Sequence, residues 1–193
     1  MLYPAPELAS AVDDYRRTDN LGALLDQVRR LAGLVSVEAL RQAAAPYQEI
    51  PEVVIPVYEH VVAQRPTDAQ AMVILANAYW LTGRGPEVVG DLAERAKSAD
   101  PLNRGAWHLW ALAQSDPRAR MERWQEVAAA FPADQLARAA LADNAASVAG
   151  NEHDPLALDL AVRTYESLLA EAVQPEHRTA LTTTIDSLRN WKL

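Results

Sequence analysis

The chain has 193 residues, a formal charge of −8 at neutral pH and no cysteine. That length can bury a core without disulfide staples, and the missing thiols exclude a disulfide framework, a thiolate zinc site and a catalytic cysteine. The acidic balance argues against nucleic acid or an anionic membrane as a partner, because both are bound by basic surface.

The N-terminus runs from Met1 through Pro4 and Pro6 into Asp13-Asp14 without a basic segment followed by an apolar one, so no secretory signal is expected. Helical periodicity begins at once and predicts helices over 6–17 and 21–32, then over 37–45 and 52–64. Over 68–82, Met72, Leu75, Ala76, Tyr79 and Trp80 recur at steps of three and four residues. The nearly apolar stretch at 71–81 is broken by Asn77 and is far shorter than the about 20 residues a membrane span requires. No membrane contact is therefore expected, and the location read from the sequence is cytoplasmic. Further helices are predicted over 86–98, 103–114, 117–130, 134–149, 155–172 and 176–191. No segment alternates apolar and polar residues as a strand would, so the fold class is all-α.

Proline and glycine punctuate this series, with 12 prolines against 7 glycines. Asp116-Pro117 and Asp154-Pro155 each combine a capping carboxylate with a proline preset for the first helical position. Pro51, Pro86 and Pro175 open helices in the same way, each followed by a glutamate that complements the positive helix end. Gly33, Gly83 and Gly150 are read as left-handed C-caps, with an enlarged turn at 150–154.

The punctuation has a longer period. Pro66, Pro101 and Pro132 each close a helix and start a new cycle, at spacings of 35 and 31 residues. Within a cycle, Leu75-Ala76, Tyr79 and Gly83 are followed by Leu92, Ala96 and Pro101. The pattern restarts at Trp107, Trp110 and Ala111 and closes with Trp124, Ala128 and Pro132. It weakens outward through Tyr58 and Val61-Val62 on one side and Leu141-Ala142, Ala161 and Tyr165 on the other. On these residues the chain resembles the tetratricopeptide repeat (TPR) family, as about four degenerate repeats over 36–172. Alanine (Ala76, Ala111, Ala142) stands where the family usually has a small glycine. The shorter cycle, with Arg118, Arg120, Glu122 and Arg123, is also similar to half-a-TPR repeats.

The resemblance implies an α-solenoid of stacked antiparallel helix pairs, a TPR-like right-handed superhelix. Residues 1–35 would be N-terminal capping helices and 173–193 a C-terminal capping helix, all in a single structural unit. It also implies which side chains face a concave groove: Gln70, Val73, Asn77 and Trp80, then His108, Leu112 and Ser115, then Ala139 and Asp143. Asn77 stands where family members hydrogen-bond a ligand's backbone or terminal carboxylate. The basic residues of a carboxylate clamp are replaced by Val73, Gly105 and Leu109. Tyr79 and Trp107 are core positions.

The chemistry of catalysis is hard to find. His153 between Glu152 and Asp154 reads as a polar loop with a helix cap, since consecutive residues do not converge on a metal. His60 and His177 form no His-x-x-x-His pair, no serine lies in a Gly-x-Ser-x-Gly elbow, and no glycine-rich loop precedes a Lys-Ser or Lys-Thr pair. The arginines at 118, 120 and 123, with the pairs Arg16-Arg17 and Arg29-Arg30 near the start, are expected to pair with Glu122, Glu126 or nearby aspartates rather than with RNA. No enzyme activity, cofactor or metal is expected. The expected function is a non-catalytic protein-protein interaction module or scaffold that receives a partner peptide in the groove. Two alternatives stand beside it: a structural subunit that self-associates through an apolar face around Trp191, and an enzyme whose site draws on His108, Asp143 and a serine.

Overall fold

The computed structural model describes residues 4–192; Met1–Tyr3 and Leu193, the outermost residues of the two expected capping segments, lie outside it. The described residues form eleven α-helices and no strand. In chain order these are α1 (Pro4–Thr18), α2 (Leu21–Leu34), α3 (Val37–Ala44), α4 (Pro51–Gln64), α5 (Ala69–Leu81) and α6 (Pro86–Ala99). They continue as α7 (Arg104–Leu112), α8 (Pro117–Ala130), α9 (Gln135–Glu152), α10 (Pro155–Glu171) and α11 (Pro175–Arg189). A single 3₁₀ turn, Ala45–Tyr47, lies between α3 and α4. The helices expected from periodicity are all present, and the class is all-α.

Two kinds of helix start alternate from α4 to α10, and each has a local cause. The first follows a proline. Arg65, Asp100 and Phe131 precede Pro66, Pro101 and Pro132, and proline pushes the residue before it out of the helical region. All three lie outside the helical region, with φ of −131°, −141° and −129°, and so end α4, α6 and α8. Three residues on, the N–H of Asp68, Asn103 or Asp134 donates back to the carbonyl of Arg65, Asp100 or Phe131 at 3.1, 3.0 and 2.9 Å. The same residue's side chain then accepts from the next helix, from Ala71 N at 2.9 Å, Ala106 N at 3.2 Å and Leu136 N at 3.0 Å. The second kind places proline inside the helix: Pro51, Pro86, Pro117, Pro155 and Pro175 are the first residues of α4, α6, α8, α10 and α11. Their missing N–H groups would be orphaned there in any case.

Glycine does less than its sequence position suggests. Gly83 does end α5, at φ +71°, with Arg84 N donating to Tyr79 O and Gly83 N to Trp80 O, the paired bonds of a left-handed cap. Gly33 and Gly150, by contrast, lie within α2 and α9. Helix α9 continues to Glu152, so the enlarged turn at 150–154 shrinks to His153, which takes the left-handed conformation itself at φ +53°. Gly150 instead leaves room for an aromatic ring: a methyl group there would come within 3.2 Å of the Trp191 ring.

The chain forms two compact units, up to Leu109 and from Trp110, with the boundary inside α7. In the first unit α1 packs on α2 and α3, α2 on α4, α3 on α4, α4 on α5, and α5 on α6. The helix pair before Ser36 therefore stacks on the next pair, first helix on first and second on second. Leu8, Val12, Leu24, Val28, Leu31, Leu40, Val53, Val57, Val61 and Met72 are at most 1 % exposed. Each such side chain contributes about 1.5–3 kcal/mol, against 0–1 for a surface ion pair, so apolar burial dominates. In the second unit α9 packs between α8 and α10, and α11 covers α10 with Leu181, Ile185 and Leu188. Ala76, Ala111 and Ala142 are each fully buried.

Candidate functional site

Helix α5 carries four of the residues assigned to the groove. At about 100° per residue, Gln70, Val73, Asn77 and Trp80 fall in one stripe of about 80°. Gln70 and Asn77 are exposed, Val73 is half-buried, and Trp80 is 38 % exposed while Tyr79 beside it is only 8 % exposed. The neighbouring aromatics thus take opposite roles. Tyr79 donates its hydroxyl to Glu59 of α4 at 2.6 Å, under the Arg84 guanidinium. Burial, then the Glu59 carboxylate, push its pKa up to about 12.

Val73 and Asn77 meet in a cleft of about 290 Å³ beside the start of α4, lined also by Gln48, Glu49, Pro51, Val54, Ile74, Ala78 and Leu81. The floor is aliphatic and the rim is polar. Leu81, one helical turn beyond Asn77, is 71 % exposed. Among the described residues, neither the Asn77 carboxamide nor the Glu49 carboxylate has a hydrogen-bond or ion-pair partner. Gln70 and Trp80 lie outside this lining. Gln48, Glu49, Pro51, Val54, Ile74 and Leu81 were not anticipated. Leu81 had a signal in its spacing, seven residues after Ile74, whereas the approach of the 48–51 segment depends on the 3₁₀ turn.

His108 is half-buried in α7. The start of that helix approaches α5 closely enough that a methyl on Gly105 would sit 3.1 Å from Val73 Cγ1, so a lysine at this position could not lie against Val73 without displacement. Trp107 donates its indole N–H to Pro101 O at 2.9 Å, with the Lys97 ammonium 4.8 Å from its ring centre. In the second unit, Leu112 is 36 % exposed, Ser115 is exposed and Ala139 is half-buried. Asp143 is exposed but accepts the hydroxyl of Tyr165 from α10. Burial and Asp143 together raise the Tyr165 pKa. Trp191 is 40 % exposed, and its ring lies against Gly150 of its own chain.

Two further clefts have different chemistry. One of about 440 Å³ between α1 and α2 is polar, and its Glu7 and Arg30 are already joined at 2.6 Å. Another of about 520 Å³, between α4 and α6, lies over the Tyr79–Glu59 hydrogen bond.

The arginine cluster finds partners other than those expected. Arg118 reaches Glu152 at 2.6 Å and Asp154 at 2.7 Å, not Glu122 or Glu126. Arg120 donates to Asn144 Oδ1 and to Gln114 O, and Arg123 donates to Trp110 O while lying over the Trp110 ring. The Arg118 guanidinium, with help from the Ala157 and Leu156 N–H groups, holds the Asp154 carboxyl below the usual carboxylate range. Arg138 does the same for Glu171. These contacts span helices, which adjacent-residue reasoning on one helix cannot foresee. Among the described residues no three His, Asp or Glu side chains converge as a metal site would need, and no helix is long and apolar enough to cross a membrane.

No protein-family model matches the chain, and no curated protein matches it. Solved structures do. A crystal structure of MamA protein is similar at 17 % identity with a TM-score of 0.61, covering 91 % of this chain and all of that one. A second MamA crystal structure gives 0.60 at 17 % identity, over 82 % of this chain and 95 % of that one. A thermophilic TPR protein of Thermus thermophilus gives 0.54 at 18 % identity, over 97 % of this chain and all of that one. At such identities the likeness concerns the fold. The chain has an all-α, TPR-like helical-repeat fold of the α-solenoid class.

Proposed function

We propose that the protein is a non-catalytic interaction module whose first unit receives a peptide segment along α5, in the cleft lined by Val73, Ile74, Asn77 and Leu81. The observation that carries this reading is the pairing of an aliphatic floor with an unpartnered carboxamide and a leucine left 71 % exposed. An extended peptide needs both: an apolar surface for a side chain and a donor-acceptor group for its backbone. Gln70 and Trp80 extend the same stripe, and His108 belongs to the adjacent helix. Leu112 and Asp143 stand in the second unit, where the Tyr165 hydroxyl already occupies part of the Asp143 carboxylate. Nucleic acid is a poor candidate, because Arg118, Arg120 and Arg123 are committed to intramolecular contacts. The division into about four repeats over 36–172, capped by 1–35 and 173–193, belongs to the same proposal.

The test is fluorescence anisotropy of dodecapeptides selected on the full chain from a random display library. Asn77→Ala and Leu81→Gln should each weaken binding several-fold, whereas Leu156→Gln, which alters a comparably exposed leucine of the second unit, should not. Equal losses for Leu81→Gln and Leu156→Gln, or none for either, would remove the cleft as the site.

A further inference from the structure

The arginines of this protein are largely spent inside it. In the first unit Arg16, Arg17 and Arg29 bridge to Asp13, Asp14 and Asp26 on their own helices, while Arg30, Arg41 and Arg65 reach across to Glu7, Asp68 and Glu38. Arg84 lies over the Tyr79 ring. Carboxylates are left over, since the chain has 26 acidic residues against 18 basic ones. One of them is at the cleft. Glu49 is exposed, is the only formally charged residue in the cleft lining, and has no cationic partner among the described residues. The remaining polar groups there, Gln48 and Asn77, are neutral.

We propose that the occupant of the α5 cleft is a basic peptide segment, in which an aliphatic side chain enters between Val54, Val73, Ile74 and Leu81 and an adjacent lysine or arginine faces Glu49. This rests on the reading of the cleft as a peptide site. An acidic segment or a free C-terminal carboxylate would meet a like charge with no cation in the lining to offset it. A basic one gains a rim ion pair in a field of the same favourable sign, worth up to about fivefold in affinity at low salt and less as salt screens it.

The experiment selects random dodecapeptides on the full chain, then sorts them by whether binding drops on Leu81→Gln, a neutral change at an exposed position. Leu81-dependent peptides should be enriched in lysine or arginine next to leucine, isoleucine or valine. They should lose about tenfold on Glu49→Lys, and replacing the peptide's own basic residue with glutamate should restore binding to that variant. Leu81-dependent peptides that are neutral or acidic would overturn the charge preference while leaving the cleft as a peptide site. Basic peptides indifferent to Glu49→Lys would also overturn it, by placing the charge recognition elsewhere. A selection with no Leu81-dependent peptide at all would overturn both readings together.

Discussion

Asp68 carries two separable interactions, and substituting it measures how the repeat boundary is held. Its Oδ1 accepts the Ala71 N–H at 2.9 Å and caps α5, while its Oδ2 takes the Arg41 guanidinium of α3 at 2.6 Å. Loss of an aspartate cap costs about 1 kcal/mol, within a range of about 0.5–2. The ion pair is less exposed than most, at 24 % for Arg41 and 16 % for Asp68, so it belongs at the upper end of the surface range, about 1 kcal/mol. Asp68→Ala should therefore cost about 2 kcal/mol, a fall of roughly 4–8 °C in Tm for a chain of this size. Asp68→Asn keeps a competent cap and loses only the charge, so it should cost about half as much. Arg41→Ala should cost a similar amount, and Asp68→Ala in the Arg41→Ala background should then cost only the cap. Thr67→Ala, one residue earlier and exposed, is the control and should be silent. Urea denaturation followed by circular dichroism at 222 nm reads all five variants. If Asp68→Asn is as damaging as Asp68→Ala, the cap contributes nothing and the account of the helix start is wrong.

Tyr79 gives an alkaline signature. Its folded pKa of about 12 lies above the value of about 10 for a free tyrosine, so the unfolded chain releases this proton first and stability falls as pH rises through that window. In an absorbance titration at 295 nm, Tyr79→Phe should remove one late-ionising tyrosine and lower stability at pH 7 by about 1 kcal/mol through the lost Glu59 hydrogen bond; an unchanged late phase would show that Tyr79 titrates normally. Asp154 behaves oppositely. Its folded pKa is depressed by Arg118, so its stabilisation is present above the ordinary carboxylate range and disappears as pH drops through that range and below it. Arg118→Ala should flatten this acid limb of the stability curve and move the Asp154 carboxyl resonance titration upward, and an unmoved titration would show that the Arg118 contact is absent in solution.

The helix ends were legible wherever one residue controls its own neighbourhood. Proline after Arg65, Asp100 and Phe131 drives the residue before it out of the helical region whatever lies nearby, and Asp116 and Asp154 cap helices through donors two or three residues away. The 35- and 31-residue spacings are these local events repeated. Glycine was less informative, because its freedom can serve a turn or a close contact. Gly83 supplies a positive φ, whereas Gly150 supplies a bare stretch of helix for Trp191. The arginine partners were hidden for a related reason: Arg118 meets Glu152 and Asp154 more than thirty residues away, across helices that must already be packed.

The cleft was half legible, and the division follows the same line. Asn77 and Val73 lie on one stripe of one helix, so periodicity places them together. Leu81 shares that stripe, but an apolar residue at helical spacing reads as core unless the opposing surface is known. Its exposure depends on the other wall of the cleft, where the 3₁₀ turn at Ala45–Tyr47 leads the chain through Gln48 and Glu49 to Pro51. That turn contains Pro46 and immediately follows Ala43 and Ala44, which are both buried. The same 48–51 segment brings the uncompensated carboxylate of Glu49 to the rim. Asn77, on the repeat pattern, is neutral, so the charge on which the proposed preference for a basic segment rests comes from Glu49 in a neighbouring loop, outside that pattern.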